Sequence, residues 1–161
     1  MESAEIVTYG DEVLRTRAEE VATFDDETKE LIERMHEIMA ENRGLGLAAP
    51  QIGISKRVFV YDAGEGPHAL VNPRLVKTGG EHVGIEGCLS VPGLQGEVPR
   101  YERVTVAGIN EEGKKVRIKA EGLLARVFQH ELDHLDGALF VDRADPETLE
   151  IVTAEEVEGE A

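Results

Sequence analysis

Residues 120–137 read AEGLLARVFQHELDHLDG and predict an apolar helix that carries two histidines. His130 and His134 are four residues apart, so on a helix their imidazoles lie on one face and can hold one metal ion. Glu131 lies about 100° further round the helix, within reach of a water on that ion. Apolar neighbours disfavour a solvent-exposed face, and burying these side chains without partners would be costly. The stretch therefore predicts a buried helix with a metal-binding HExxH motif, ended by Gly137.

A catalytic metal site needs a third protein ligand and an open position, and the sequence offers two sources for that ligand. One is an acidic residue far downstream, Glu155 or Glu156. The other is Cys88, the single cysteine of the chain, in the segment GIEGCLSVPG at residues 84–93. We favour Cys88 because nearby glycines allow sharp backbone bends, whereas the two glutamates lie in a run of like charge. The other histidines have no such motif around them: His36, His68 and His82.

The composition is that of an acidic globular protein. Its 161 residues contain 17 Lys and Arg against 33 Asp and Glu, which gives a formal net charge of −16. Such a charge repels phosphate backbones and anionic lipid, so we expect neither nucleic-acid nor membrane binding. The sequence shows no membrane-spanning run or signal-peptide pattern, and a single cysteine fits a reducing compartment, so we expect a cytoplasmic protein.

The acidic residues are concentrated towards the C terminus. Residues 144–161 contain seven acids and no Lys or Arg. We expect one catalytic domain over residues 1–143, followed by a flexible acidic tail over 144–161. Apolar spacing predicts a further helix over 25–43, and strand patterns cover 56–61, 69–76, 104–109 and 116–120. The chain lacks βαβ alternation, so we predict an α+β fold with mostly antiparallel strands packed around the central HExxH helix.

The segment GLGLAAPQIG at residues 44–53 fits the glycine spacing of a dinucleotide-binding turn, but its context does not. Such a turn follows a strand and opens a helix, whereas here a predicted helix precedes the segment and a strand follows it. What remains is a close-packed loop of small residues that presents Gln51 as a neutral hydrogen-bond donor.

Together, GLGLAAPQIG, EGCLSVPG and QHELDHLDG resemble the signature motifs of the peptide deformylase family, over roughly residues 4–143. The resemblance implies a metal-dependent hydrolase that removes the formyl group from N-formylmethionine at the start of nascent bacterial-type polypeptides and releases formate. It implies one divalent metal ion held by Cys88, His130 and His134. The usual physiological ion of the family is Fe(II), with zinc, nickel or cobalt able to occupy the site.

The resemblance also implies roles for residues around the metal. Glu131 is expected to act as general base, and the oxyanion donors are the Gln51 side chain and the Leu89 backbone N–H. Helical spacing places Leu123 and Val127 on the His130 face, where they can contact a methionine side chain. The resemblance adds three further substrate contacts: Leu45, Ile85 and the backbone of Gly46.

Charged residues near the motifs are candidates for supporting the ligands. Glu86 and Asp133 could orient the histidines, with Arg100 as a partner for either. Arg126 departs from the apolar residue that many relatives carry on this helix, which puts the rim of the substrate pocket in doubt. The acidic tail does not resemble the basic helix by which some members dock on the ribosome, and the family suggests a monomer.

Two other functions remain open from the sequence. The chain could be an HExxH zinc peptidase that uses Glu155 or Glu156 as its third ligand. It could also be a non-catalytic relative that binds formyl peptides.

Overall fold

The computed structural model describes residues 6–151 as two sheets and a central helix. In this range the helices are α1 (Asp26–Glu41), α2 (Gly122–Leu135) and the single turn α3 (Phe140–Arg143). The strands are β1 (Gly46–Ala48), β2 (Val58–Tyr61), β3 (His68–Gly79), β4 (His82–Cys88), β5 (Val91–Arg100), β6 (Arg103–Asn110), β7 (Lys115–Glu121) and β8 (Glu150–Ile151). None of these helices, within residues 6–151, combines the length and apolar character that a membrane span requires.

All neighbouring strands are antiparallel. The larger sheet has the order β1-β2-β3-β6-β7 and the smaller has the order β4-β5-β8. The predicted α+β class is confirmed, and the strands predicted over 104–109 and 116–120 form the antiparallel pair β6–β7. Strand β3 continues through Pro73 with a register shift between Val71 and Arg74, because a proline cannot donate to the ladder.

Helices α1 and α2 pack on opposite faces of the larger sheet. Val58 and Val60 of β2 belong to the apolar cluster under α1, whereas Phe59 belongs to the cluster under α2. This alternation follows from the two-residue period of a strand, and it buries β2 on both faces. The aromatic rings of Phe59 and Phe128 lie 5.7 Å apart, between centroids, which fixes α2 on the sheet.

Helix α2 is the predicted central helix. Residues 127–135 are all buried, including the charged residues of the HExxH motif. The helix stops before Gly137, whose φ is +82°. A Cβ atom at that position would lie 2.8 Å from the Arg15 carbonyl oxygen, so the turn requires glycine both for its conformation and for its close approach.

The first part of the predicted acidic tail is packed against the smaller sheet. Ala144 is buried, and the Leu149 side chain covers Gly96 of β5, where a Cβ atom would lie 2.6 Å from Leu149 Cδ2. Strand β8 then pairs with β5. A few apolar side chains therefore anchor residues 144–151 of the acidic segment to the smaller sheet. Residues 152–161 lie outside the described range.

Candidate active site

Three candidate ligand residues meet between α2 and the end of β4. The imidazole centroids of His130 and His134 are 5.0 Å apart. Cys88 ends β4, and its Sγ lies 3.3 Å from His134 Nε2. One ligand atom from each residue lies within 4.8 Å of the other two, so all three can reach one ion at bond lengths of about 2.0–2.3 Å. Glu155 and Glu156, the alternative ligands, lie outside the described residues.

The chemistry of this cluster fits a divalent metal. All three residues are buried, and His130 Nε2 and His134 Nδ1 have no hydrogen-bond partner among residues 6–151. Unpaired buried polar atoms are rare in native proteins, so the cluster has unused capacity to bind a ligand. One thiolate sulfur and two imidazole nitrogens form a donor set that suits zinc, iron and other first-row ions.

Glu86 of β4 orients His130. Its Oε1 lies 3.0 Å from His130 Nδ1. Burial alone would raise the pKa of Glu86, but hydrogen bonds from Arg100 and His130 outweigh burial and hold that pKa below its usual range. An ionised carboxylate can only accept a hydrogen bond, so Nδ1 carries the proton and Nε2 keeps its lone pair for a metal.

Arg100 links Glu86 to the far end of α2. Its Nε and Nη2 each donate to Glu86 over 2.8 Å, and its Nη1 donates to Asp133 Oδ2 over 2.6 Å. Arg143 of α3 donates to the same Asp133 over 2.6 and 2.9 Å. Arg100 therefore contacts both of the acids that the sequence analysis pairs it with, and the network ties α2 to both β5 and α3.

Glu131 takes no part in the hydrogen-bond network of Glu86, Arg100 and Asp133. The residue is fully buried, and neither carboxylate oxygen has a hydrogen-bond partner among the residues described. Burial raises the pKa of Glu131 to about 7. Gly46 of β1 makes room for the carboxylate, since a Cβ atom at Gly46 would lie 2.6 Å from Glu131 Oε2. The result is a carboxyl group suited to taking up and releasing a proton.

Gln51 presents its amide nitrogen to the cluster. The residue lies in the 3₁₀ turn Ala49–Ile52, and its Oε1 accepts a hydrogen bond from the Ala48 backbone N–H over 2.9 Å. That bond leaves Nε2 directed at Ser90 Oγ, 3.2 Å away, and Cys88 Sγ, 3.7 Å away. Leu89, the second predicted donor, directly follows Cys88 and is half-buried. Both predicted donors therefore lie next to the sulfur.

A small cavity lies beside His130, where the sequence predicts an apolar pocket. Its volume is about 100 Å³, and four predicted contact residues line it, together with Glu86, Gly87, Arg126 and His130: Leu45, Ile85, Leu123 and Val127. Val127 is buried, whereas Ile85 and Leu123 are more than half exposed and form the open edge. Gly46, the fifth predicted contact, lies against Glu131.

A larger cleft lies away from the candidate ligands. Its volume is about 700 Å³, and its walls include Arg57, Arg100 and Asp133 but none of the three ligand residues. The larger volume of this cleft therefore does not mark it as the active site. The buried metal-binding atoms lie elsewhere, beside the small cavity.

Arg126, which departs from the apolar residue that many relatives carry on this helix, lies in the wall of the cavity beside His130. Its guanidinium group donates to Glu86 Oε2 and to the carbonyl oxygens of Val98 and His82, over 3.1 and 3.0 Å for the two carbonyls. No sequence pattern reveals these contacts, because they depend on how β4 and β5 pair. The Arg126 side chain therefore contacts the cavity beside His130, while its positive charge pairs with Glu86 inside the protein.

Comparison with known proteins agrees with the geometry. The family model described as polypeptide deformylase matches residues 3–150. The peptide deformylase of Carboxydothermus hydrogenoformans is 51% identical over 140 residues, covering 87% of this chain and 92% of that protein. That of Halothermothrix orenii is 52% identical over 141 residues, covering 86% and 92%.

Solved structures give the same result. The peptide deformylase of Thermotoga maritima matches with a TM-score of 0.85 and 48% identity, covering 88% of this chain and 97% of that one. The enzyme of Synechococcus elongatus, solved in complex with actinonin, matches with a TM-score of 0.85 and 45% identity, covering 87% and 78%. With its fold, its motifs and its buried Cys/His/His cluster, this chain belongs to the peptide deformylase family.

Proposed function

We propose that this chain is a metal-dependent deformylase that hydrolyses the formyl amide of N-formylmethionyl peptides. The observation that carries the proposal is the buried cluster of Cys88, His130 and His134 with the unpaired carboxyl group of Glu131 beside it. Membership of the family supplies the substrate class, and the small apolar cavity beside His130 supports it.

Cys88, His130 and His134 would hold one divalent ion. When bound, the ion supplies Lewis-acid activation of water near neutral pH and polarisation of a carbonyl group. Fe(II) is the ion that the family resemblance favours in vivo, and the same donors accept zinc, nickel or cobalt. Glu86 contributes by keeping the His130 ring in the tautomer that a metal needs.

Glu131 moves the proton. Its carboxylate takes a proton from the water as the water oxygen forms a bond to the formyl carbon. The same carboxyl group then donates this proton to the amide nitrogen as the C–N bond breaks. The second proton of the water stays on the new hydroxyl group, so C–N cleavage gives formic acid and an amine. Transfer of the acid proton to the amine then leaves formate and a protonated amino terminus, so atoms and charge balance without another reactant.

Gln51 and Leu89 stabilise the oxyanion that develops on the formyl oxygen. The Ala48 N–H holds Gln51 Oε1, so the Gln51 NH₂ group is already oriented before substrate binds. The backbone N–H of Leu89 is the second donor. Preoriented donors lower the barrier because they need no rearrangement during the reaction.

Replacing Gln51 with glutamate tests this role. The variant Gln51→Glu keeps an acceptor for the Ala48 N–H but removes the amide donor, so kcat should fall by about 10²–10³-fold with a smaller change in KM. The measurement is steady-state formate release. Gln95→Glu serves as the control because Gln95 binds Glu150 on the protein surface. Similar kcat values for the two variants would contradict the role of Gln51.

The cavity beside His130 should accept the methionine side chain. Leu123 is 56% exposed, so Leu123→Ala removes pocket wall with little effect on the core. Its loss of apolar contact should raise KM for formyl-Met peptides by roughly 5–20-fold, on the order of 1–2 kcal/mol, with metal content unchanged. Leu75→Ala, which removes an exposed leucine elsewhere, should leave KM as in the wild type. An unchanged KM in Leu123→Ala would remove that residue from the substrate pocket.

The proposed setting is the cytoplasm, where formylated nascent chains are made. A buried single cysteine as metal ligand requires a reduced thiol, which supports that compartment. We propose that the protein acts as a monomer on peptides emerging near the ribosome and binds neither nucleic acid nor membrane.

The products of one defined peptide distinguish deformylation from the alternatives. Formyl-Met-Ala-Ser incubated with the metal-loaded protein should give formate and intact Met-Ala-Ser by mass spectrometry. Cleavage at an internal peptide bond would instead support the zinc peptidase. Tight binding with no product would support a non-catalytic relative.

A further inference from the structure

Arg126 joins the two elements that supply the candidate ligands. It lies on α2 one turn before His130, and its side chain is only 12% exposed. Its Nη1 donates to Glu86 Oε2 and to the Val98 carbonyl oxygen, 3.1 Å away. Its Nη2 donates to the His82 carbonyl oxygen over 3.0 Å. One side chain of the histidine helix thus contacts both β4, which ends in Cys88, and β5.

Gly84 makes this arrangement possible. The residue lies between His82 and Glu86 on β4, and the guanidinium group of Arg126 packs against its Cα. A Cβ atom at Gly84 would lie 3.1 Å from both Cζ and Nη2 of Arg126. Since a contact of that length is tighter than an ordinary van der Waals distance, glycine leaves the space that the guanidinium group fills.

Glu86 depends on Arg126 for its fourth contact. Its Oε1 faces Arg100 and His130, and its Oε2 faces Arg100 and Arg126. Arg100 is shared, because it also donates to Asp133. Within residues 6–151 Arg126 forms its salt bridge with Glu86 and with no other acid, so it is the cation dedicated to Glu86.

We propose that Arg126 is a positioning residue for the metal centre. By tying Glu86 of β4 to α2, it fixes the ring of His130 and the separation between the histidine helix and Cys88. The inference rests on the proposed metal site. Arg126 is not one of the three clustered ligand residues, so it acts on the metal centre through Glu86 and through the alignment of the two elements.

Cobalt-loaded protein gives a direct test. Arg126→Gln should release Co(II) to excess chelator about 10–100-fold faster than the wild type and should show an altered visible Co(II) spectrum. Its kcat should fall more than its KM changes. Arg126→Lys keeps the charge but lacks the planar fork of donors. Its rate of Co(II) release should therefore lie between those of the wild type and Arg126→Gln. Gly84→Ala should shift the spectrum in the same direction, because it displaces the guanidinium group.

Arg57→Gln is the matched control. The Arg57 side chain is 7% exposed and donates to the Leu135 carbonyl and to Asp136 at the other end of α2, without contacting Glu86. It should lower the melting temperature but keep the wild-type Co(II) spectrum and release rate. A wild-type spectrum and release rate in Arg126→Gln would overturn the inference. The inference would also be overturned if Arg57→Gln released Co(II) as fast as Arg126→Gln does.

Misfolding of Arg126→Gln and failure of the wild-type chain to bind Co(II) can each be told apart from failure of the inference. If Arg126→Gln does not fold, Arg126→Lys and Gly84→Ala decide, and wild-type spectra in both would overturn the inference. If the wild-type chain takes up no Co(II), the proposed metal site itself is contradicted, whatever the variants do.

Discussion

Replacing Glu131 with glutamine is expected to lower kcat for deformylation by about 10²–10⁴-fold while the protein keeps its metal. Glutamine has nearly the same shape but cannot take up a proton. Glu131 is separate from the three clustered ligand residues, so metal content should be unaffected. The carboxyl group is buried without a partner, so a neutral amide adds no buried charge and folding should be retained.

The measurement is formate release and metal content on the same Glu131→Gln sample. Glu121→Gln is a suitable control because Glu121 is exposed at the start of α2 and makes no capping hydrogen bond with its side chain. Near-normal turnover in Glu131→Gln would mean that another group moves the proton.

Replacing Cys88 with alanine is expected to abolish both metal retention and activity. The change removes one of three protein ligands and leaves two buried imidazoles. Loss of a residue that merely supports a ligand costs about 10–100-fold in metal affinity, so loss of a ligand should cost more than about 100-fold. Metal per chain after gel filtration in dilute chelator measures the effect.

The paired variant Glu155→Gln/Glu156→Gln separates the two sources of a third ligand. It should keep both metal and activity if Cys88 is the ligand. The opposite pattern, with metal retained in Cys88→Ala and lost in the glutamate variant, would support the zinc peptidase.

The central helix is predictable from the sequence because its signal is local. Its apolar residues, the spacing of His130 and His134, and the terminating Gly137 all lie within one short segment. The pair of histidines can therefore be assigned to one face, and Glu131 to another, without knowledge of the remaining fold. The same holds for the β6–β7 hairpin, whose strands are neighbours in the chain.

The smaller sheet is not predictable in this way. Strand β4 contains two glycines, and β5 contains two glycines and two prolines, which are residues depleted in strands. These segments are extended because each pairs with the other along its length, and local preference does not report that pairing. The packing of Leu149 on Gly96, which anchors the segment after residue 143 to the smaller sheet, is likewise a long-range contact.

The candidate site also combines residues with a local sequence signal and residues brought together only by long-range contacts. Both histidines and Glu131 follow from a single helix, whereas the closeness of Cys88 to His134 depends on β4 lying beside α2 in the fold. The contacts of Arg126 are of the same long-range kind. Its position on the helix suggests the pocket, but its contacts are set by β4 and β5, which meet α2 only in the folded protein.

Formate release during a metal titration is the most direct test of metal-dependent deformylation by this chain. The protein is purified anaerobically without metal, titrated with Fe(II) and assayed with a formyl-Met tripeptide. We predict that the rate rises to a plateau at one Fe(II) per chain and disappears when a chelator removes the ion. Absence of formate at every ratio, with one metal bound per chain, would contradict the account.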